Sequence, residues 1–270
     1  MFRVHSVLSL LSISIFNSAD LSKQFLRIHN GRDLTDGEYL YVISLIQFVD
    51  DESQRLCTGT MVTDTWGITA AHCIEEEDYY IWYGEFTVPP LQSKQYSKVL
   101  EVFMHPSYRS LSVNGGRDDL FVHNDVGLFR TEKVVKRSYG PLSSVDHFTM
   151  IGLPVVFVGG GWSKTKPDNR DELRPLQIGE ASIIKCDAQM KSISASVICI
   201  TPKCSNKFQR PWYGDSGGPL ICDGKIIGVC SYGIVSNVLV RSGYTPVSPY
   251  IEWIYHTMHS NDNDTANDLY

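Results

Sequence analysis

The chain has 270 residues, 43% of them apolar and 20% charged, and a formal net charge of −6. That charge opposes nucleic-acid binding, which needs a basic field, and 21 Gly and 12 Pro without a strict period exclude collagen-like and disordered classes. No run reaches the roughly 18–20 uninterrupted apolar residues of a membrane span, so a globular chain with neither nucleic acid nor membrane as partner is expected.

Residues 1–19 read as a secretory signal peptide. Arg3 supplies a basic start, Val4 to Phe16 form an apolar stretch diluted by serines, and Ser18-Ala19 offer a small-residue cleavage site. A secreted, extracellular destination suits the seven cysteines at 57, 73, 186, 199, 204, 222 and 230. An oxidising compartment pairs most thiols, and an odd count leaves at least one free or joined to another chain. Cys199-x4-Cys204 lacks the second half that a zinc motif requires.

Short apolar runs then recur, separated by turn residues: Tyr39–Phe48, Gly67–Ala71, Tyr80–Tyr83, Val99–Met104, Val126–Phe129, Val155–Val158, Leu220–Cys222 and Lys225–Tyr232. Many are rich in β-branched residues and too short for helices, which predicts strands closing into a sandwich or barrels. The acidic run Glu75–Asp78 predicts a solvated loop. One helix is predicted, with Pro249 in its first turn and Tyr250, Ile251, Trp253, Ile254 and Met258 at helical spacing. Beyond it, 259–270 reads as a frayed polar tail carrying a glycosylation sequon at Asn263.

Three stretches carry chemistry. In Thr69-Ala70-Ala71-His72-Cys73, small residues let an imidazole sit close to a neighbouring strand. In His123-Asn124-Asp125-Val126-Gly127-Leu128, a carboxylate directly precedes an apolar strand, and a buried acid calls for a partner. In Gly214-Asp215-Ser216-Gly217-Gly218-Pro219, glycines flank a serine and leave its hydroxyl unshielded. A serine hydroxyl is a poor nucleophile that needs an adjacent base and a third group to orient that base. The amides of Gly214 and Ser216 are placed to face one developing oxyanion, worth roughly 3 kcal/mol per donor. The same stretch fits the GxSxG nucleophile elbow, but that fold orders Ser, Asp, His, whereas here His72 precedes Ser216 by 144 residues.

Taken in their order His, Asp, Ser, these motifs resemble those of the trypsin/chymotrypsin-like serine proteases over nearly all of residues 28–258. The resemblance implies an all-β fold: two six-stranded antiparallel Greek-key β-barrels, a C-terminal α-helix, and the active site between the barrels. It implies a serine endopeptidase in which Ser216 attacks the scissile carbonyl, His72 takes and returns the proton, and Asp125 steadies the imidazole. Arg27-Ile28-His29-Asn30-Gly31 resembles the family's activation site, making 20–27 a short propeptide. Cleavage after Arg27 by a trypsin-like protease then frees an amine on Ile28 that pairs with Asp215. Protein or peptide substrates and protein inhibitors are the implied partners. No cofactor is implied, and no metal, since Glu85 lacks a second acid for calcium.

Further matches are Gly161-Trp162 and Ser231-Tyr232-Gly233, the latter resembling the edge that pairs with substrate backbone. Tyr213 belongs to the same substrate-binding set, and Tyr232 stands where the family usually has Trp. Two disulfides are implied, Cys57–Cys73 and Cys186–Cys199, with Cys204 an alternative partner in the second; the pairing of Cys204, Cys222 and Cys230 stays open. Arg210, six residues before Ser216, stands where trypsin-like members carry aspartate. It opposes a Lys or Arg preference and either attracts an acidic side chain or turns outward on its stem. An inactive homologue acting as a binding module is the alternative function; such modules usually replace a triad residue, and all three are present here.

Overall fold

The computed structural model describes residues 28 and 30–267 apart from 51, 76–77, 114–117, 135–137, 162–172, 204–208 and 236–239. The first 27 residues, Trp162 and Cys204 lie outside that set. In chain order the strands are β1 (Arg32–Asp33), β2 (Val42–Val49), β3 (Glu52–Met61), β4 (Trp66–Thr69), β5 (Tyr80–Trp82), β6 (Tyr96–Met104), β7 (Arg109–Val113), β8 (Asp118–His123) and β9 (Gly127–Thr131). There follow β10 (Pro154–Gly159), β11 (Gln177–Ile184), β12 (Ile198–Pro202), β13 (Pro219–Cys222), β14 (Lys225–Val235) and β15 (Val240–Pro246). Two short helices, α1 (Pro90–Ser93) and α2 (Ala188–Ile193), interrupt them, and α3 (Ile251–Asn267) closes the chain.

The strands close into two antiparallel barrels. The first runs β2-β3-β4-β9-β6-β5 and returns to β2 through the β2–β5 pairing. The second runs β11-β10-β13-β14-β15-β12 and closes through β11–β12, with β1 added outside β11; β7 and β8 form a separate hairpin. Numbered within each barrel, the strands have one cyclic order, 1-2-3-6-5-4, although the sequence contains no detectable repeat. That order pairs strands joined by short turns and sends one long connection across the barrel end, which is the Greek-key solution.

Core packing follows from the apolar runs. Ile43, Leu45, Ile81, Trp82, Leu128 and Phe129 fill the first barrel, and Ile28, Phe157, Ala181, Ile198, Leu220 and Tyr244 the second. Phe129 lies across Gly67, where a Cβ would stand 2.0 Å from the ring, so the strand pair β4–β9 needs glycine there. The first cluster also takes in Val158, Ile221 and Val229 of the second barrel, so one apolar seam joins the two. A buried arginine crosses this seam: Arg55 donates to the carbonyls of Gly160 and Arg174, with its guanidinium 4.5 Å from the Trp82 ring centroid.

The C-terminal helix follows the second barrel but packs on the first, where Val247, Tyr250 and Ile254 join the core of Ile74 and Val126. Two expectations need correction here. The helix does not stop near Met258: it runs to Asn267, through the residues read as a frayed tail. Side chains carry it past the apolar stripe, since the His259 ring stacks on Tyr255 at 3.9 Å and Asn261 Nδ2 donates to Thr257 O at 2.7 Å. Asn263 therefore sits on a helix. No helix among the described residues is long and apolar enough to cross a membrane.

Candidate active site

His72 sits in a single 3-10 turn, Ala71–Cys73, directly after β4. Ala70 and Ala71 are fully buried, and a disulfide from Cys73 to Cys57 on β3 ties the turn to the barrel wall. The Cys186–Cys199 bridge is present as well. Cys57, His72 and Cys73 place their ligand atoms within 4.8 Å of one another, but the two sulfurs are bonded to each other and supply no thiolate for a metal.

Asp125 comes from the neighbouring strand connection, two residues ahead of β9, which pairs with β4 at Thr69 and Gly127. Asn124 before it holds a left-handed φ of 52°, which turns the chain so that the carboxylate points inward. The side chain is completely buried and accepts three hydrogen bonds: from the His72 amide at 3.0 Å, from His72 Nδ1 at 2.8 Å and from the Ser231 hydroxyl at 2.5 Å. Burial alone would raise its pKa, but the imidazole and these donors outweigh it and hold the carboxyl below its usual range. An ionised carboxylate only accepts, so the proton on His72 is assigned to Nδ1 and Nε2 is left as the basic nitrogen. The ring remains 30% exposed, open on one side.

Ser216 lies in the loop before β13, in the second barrel. Gly214 and Gly217 have φ of 86° and 80°, values that suit glycine. A Cβ on Gly217 would stand 2.1 Å from Thr69 Oγ1 and 3.1 Å from the Ala70 amide, so the serine loop abuts the turn that carries His72. Asp215, Gly217 and Gly218 donate their amides to Trp212 O, Cys230 O and Asp215 O. Among the described residues no acceptor takes the amides of Gly214 and Ser216. The Asp215 carboxylate is buried, accepting from Gly161 N and Trp212 N at 2.8 Å each. Ile28 is 1% exposed and packs against Gly31 and against Gly179 on β11 of the second barrel; Arg27 lies outside the described residues.

The predicted substrate-facing residues separate into two groups. Gly233 is exposed and pairs with Ser242 of β15, while β13 pairs with β14 only as far as Val229, so the other edge of β14 is unpaired here among the described residues. Tyr213 is 62% exposed. Tyr232 is buried instead, its hydroxyl donating to Met190 O at 2.9 Å and its ring lying on Gly243. Ser231 turns its hydroxyl to Asp125 rather than outward. Arg210 stacks its guanidinium 4.6 Å from the Trp212 ring centroid, and burial lowers its pKa. Cys222 and Cys230 are thiols, the second fully enclosed and pushed up by burial and by the Asp215 charge.

Several supporting residues escaped the sequence reading. Thr58 on β3 holds the serine loop by its backbone amide, at 2.8 Å from Ser216 O, and by its hydroxyl, at 2.8 Å from Gly214 O. Tyr250, at the foot of α3, donates to Asn124 Oδ1 at 2.8 Å, and Asn124 Nδ2 donates to Ser107 O at 2.8 Å. Tyr108, next along, reaches Glu75 at 2.7 Å, three residues past His72. The signal for these was positional only: each neighbours a motif residue or sits in a turn facing one.

The trypsin family profile matches residues 28–254. Human kallikrein-8 is 32% identical over 213 residues, covering 74% of this chain and 76% of its own length. Trypsin-3 of Salmo salar is 28% identical over 220 residues, covering 77% and 84% respectively, and rat granzyme B 27% over 225 residues, covering 80% and 85%. A solved structure of neuropsin, a serine protease of mouse brain, superposes with a TM-score of 0.65 at 24% identity, covering 85% of this chain and 99% of its own. The chain belongs to the trypsin family, and it is a serine endopeptidase acting on protein or peptide substrates.

Proposed function

We propose that this chain is a secreted endopeptidase, made as a zymogen, that cleaves peptide bonds through His72, Asp125 and Ser216. The observation that carries the reading is a half-open imidazole whose Nδ1 lies 2.8 Å from a fully buried carboxylate, beside a loop that presents a serine between glycines. Nε2 of His72 takes the Ser216 proton as Oγ attacks the substrate carbonyl. The imidazolium so formed faces Asp125, whose burial makes the attraction stronger than it is in water. The carbonyl oxygen gains negative charge and draws on the amides of Gly214 and Ser216. Collapse of the adduct passes the proton from His72 to the leaving amine and leaves an acyl-enzyme; water repeats the sequence to release the second product. The exposed backbone of Gly233 binds substrate as an added strand.

In this reading residues 1–19 are a signal peptide, 20–27 an activation propeptide and 28–258 the protease domain. Cleavage after Arg27 by a trypsin-like enzyme releases the Ile28 amine to pair with Asp215. With Arg210 in place of an acid, the cleaved bond does not follow Lys or Arg, and an acidic side chain is preferred. The test is to treat the full chain with trypsin, sequence the new N-terminus and profile cleavage of a random peptide library, with Ser216→Ala as control. Turnover that appears with an Ile28 terminus and vanishes in the control supports the reading. Equal turnover by the Ser216→Ala chain overturns the triad, and a preference for Lys or Arg overturns the pocket assignment.

A further inference from the structure

Thr58 is fully buried where the two barrels meet, and every polar group it has is committed. Its amide donates to Ser216 O at 2.8 Å, and its carbonyl accepts from Thr69 Oγ1 at 2.8 Å. Its hydroxyl donates to Gly214 O at 2.8 Å and accepts from Gly160 N at 3.0 Å. One residue of the first barrel thus holds the carbonyls of Gly214 and Ser216, the two residues whose amides lack a protein acceptor among the described residues. A glycine at φ 86° has little intrinsic reason to stay in one orientation, so the restraint has to come from outside it. Donors lower a barrier only when they are already aimed at the developing charge.

We propose that Thr58 is a positioning residue for oxyanion stabilisation, its hydroxyl locking the Gly214 backbone in the orientation that the tetrahedral adduct needs. This rests on the triad reading above. Shape and hydroxyl are separable at this position. The methyl group lies 3.3 Å from where a Cβ on Gly218 would stand, so Thr58→Val keeps the packing and removes the hydroxyl, while Thr58→Ser does the reverse.

The experiment uses the full chain activated after Arg27, with rates normalised to titrated active sites. It measures kcat, KM and affinity for a peptide aldehyde, which binds as a tetrahedral adduct on a serine. Thr58→Val is expected to lower kcat roughly 10–100-fold and to weaken aldehyde binding by a similar factor. KM stays within about threefold, and Thr58→Ser returns kcat to within about threefold of wild type. Wild-type kcat and aldehyde affinity in Thr58→Val overturn the proposal, and so does equal impairment of the Val and Ser variants. If Thr58→Val does not fold, Thr58→Ala against Thr58→Ser isolates the same hydroxyl with the same two outcomes. A wild-type chain that neither turns over nor labels at Ser216 overturns the triad reading and this proposal together.

Discussion

A carboxylate removed completely from water, as Asp125 is, stays ionised only if its surroundings supply what water did. Here three donors do so, and one of them, Ser231, comes from the opposite barrel. A hydrogen bond to a buried charge is worth about 1.5–3 kcal/mol, so Ser231→Ala should destabilise the fold by that amount at neutral pH. The sign of the pH dependence follows from the depressed pKa. Stability from an acid whose folded pKa is lowered is fully present above its unfolded value, near 4, and is lost as pH falls through the lower folded value. The gap between wild type and Ser231→Ala should therefore close on acidification through that window. Urea melts at a series of pH values measure it, and a gap independent of pH contradicts the role given to Ser231. Asp125→Asn should lower kcat by roughly 10³–10⁴, because an amide no longer fixes the proton on Nδ1.

At the scale of elements, two ties hold the acid and the base to the first barrel. The Cys57–Cys73 bridge closes a segment of 16 residues around His72, and removing a link of that span costs about 3 kcal/mol through the freedom returned to the unfolded chain. A Cys57→Ser, Cys73→Ser double variant should melt accordingly lower, and a melting point within a degree of wild type contradicts the tie. The second tie runs from α3 through Tyr250 to Asn124. Burial and the nearby Asp125 charge push the Tyr250 pKa up to about 12, so its hydroxyl stays a donor over the working range. Tyr250→Phe keeps the ring and removes the bond to half-buried Asn124, a loss of about 0.5–1.5 kcal/mol. Ile254→Ala on the same helix should cost about 2–5 kcal/mol as a cavity in the first core. Differential scanning calorimetry of the two variants checks both figures.

The molecule as a whole draws its candidate site from both barrels: His72, Asp125 and Thr58 from one, Ser216 and Ser231 from the other. Much of this was legible in sequence where a short apolar run met turn residues, as in β5, β10 and β13, or where glycines surrounded a serine. Strand β3 was not legible, because Arg55, Thr58 and Thr60 are polar and yet buried, and Arg55 and Thr58 are satisfied at least in part by partners up to 156 residues away. Hydrophobic periodicity cannot report a residue whose burial depends on a distant acceptor. Strand β15 was missed because it too carries buried polar residues, Ser242 and Thr245, that break the apolar pattern. The motif residues announced themselves, whereas the residues that hold them, Thr58, Tyr250 and the hydroxyl of Ser231, acquire meaning only when the barrels close against each other.

The central claim is that His72, steadied by Asp125, makes the Ser216 hydroxyl reactive. Its most direct test is peptide-mapped labelling of the activated chain by a fluorophosphonate, in wild type, His72→Ala and Asp125→Asn. A single adduct on Ser216 is expected in wild type, forming orders of magnitude more slowly in both variants. Labelling of another residue, or an unchanged rate in His72→Ala, would contradict the claim.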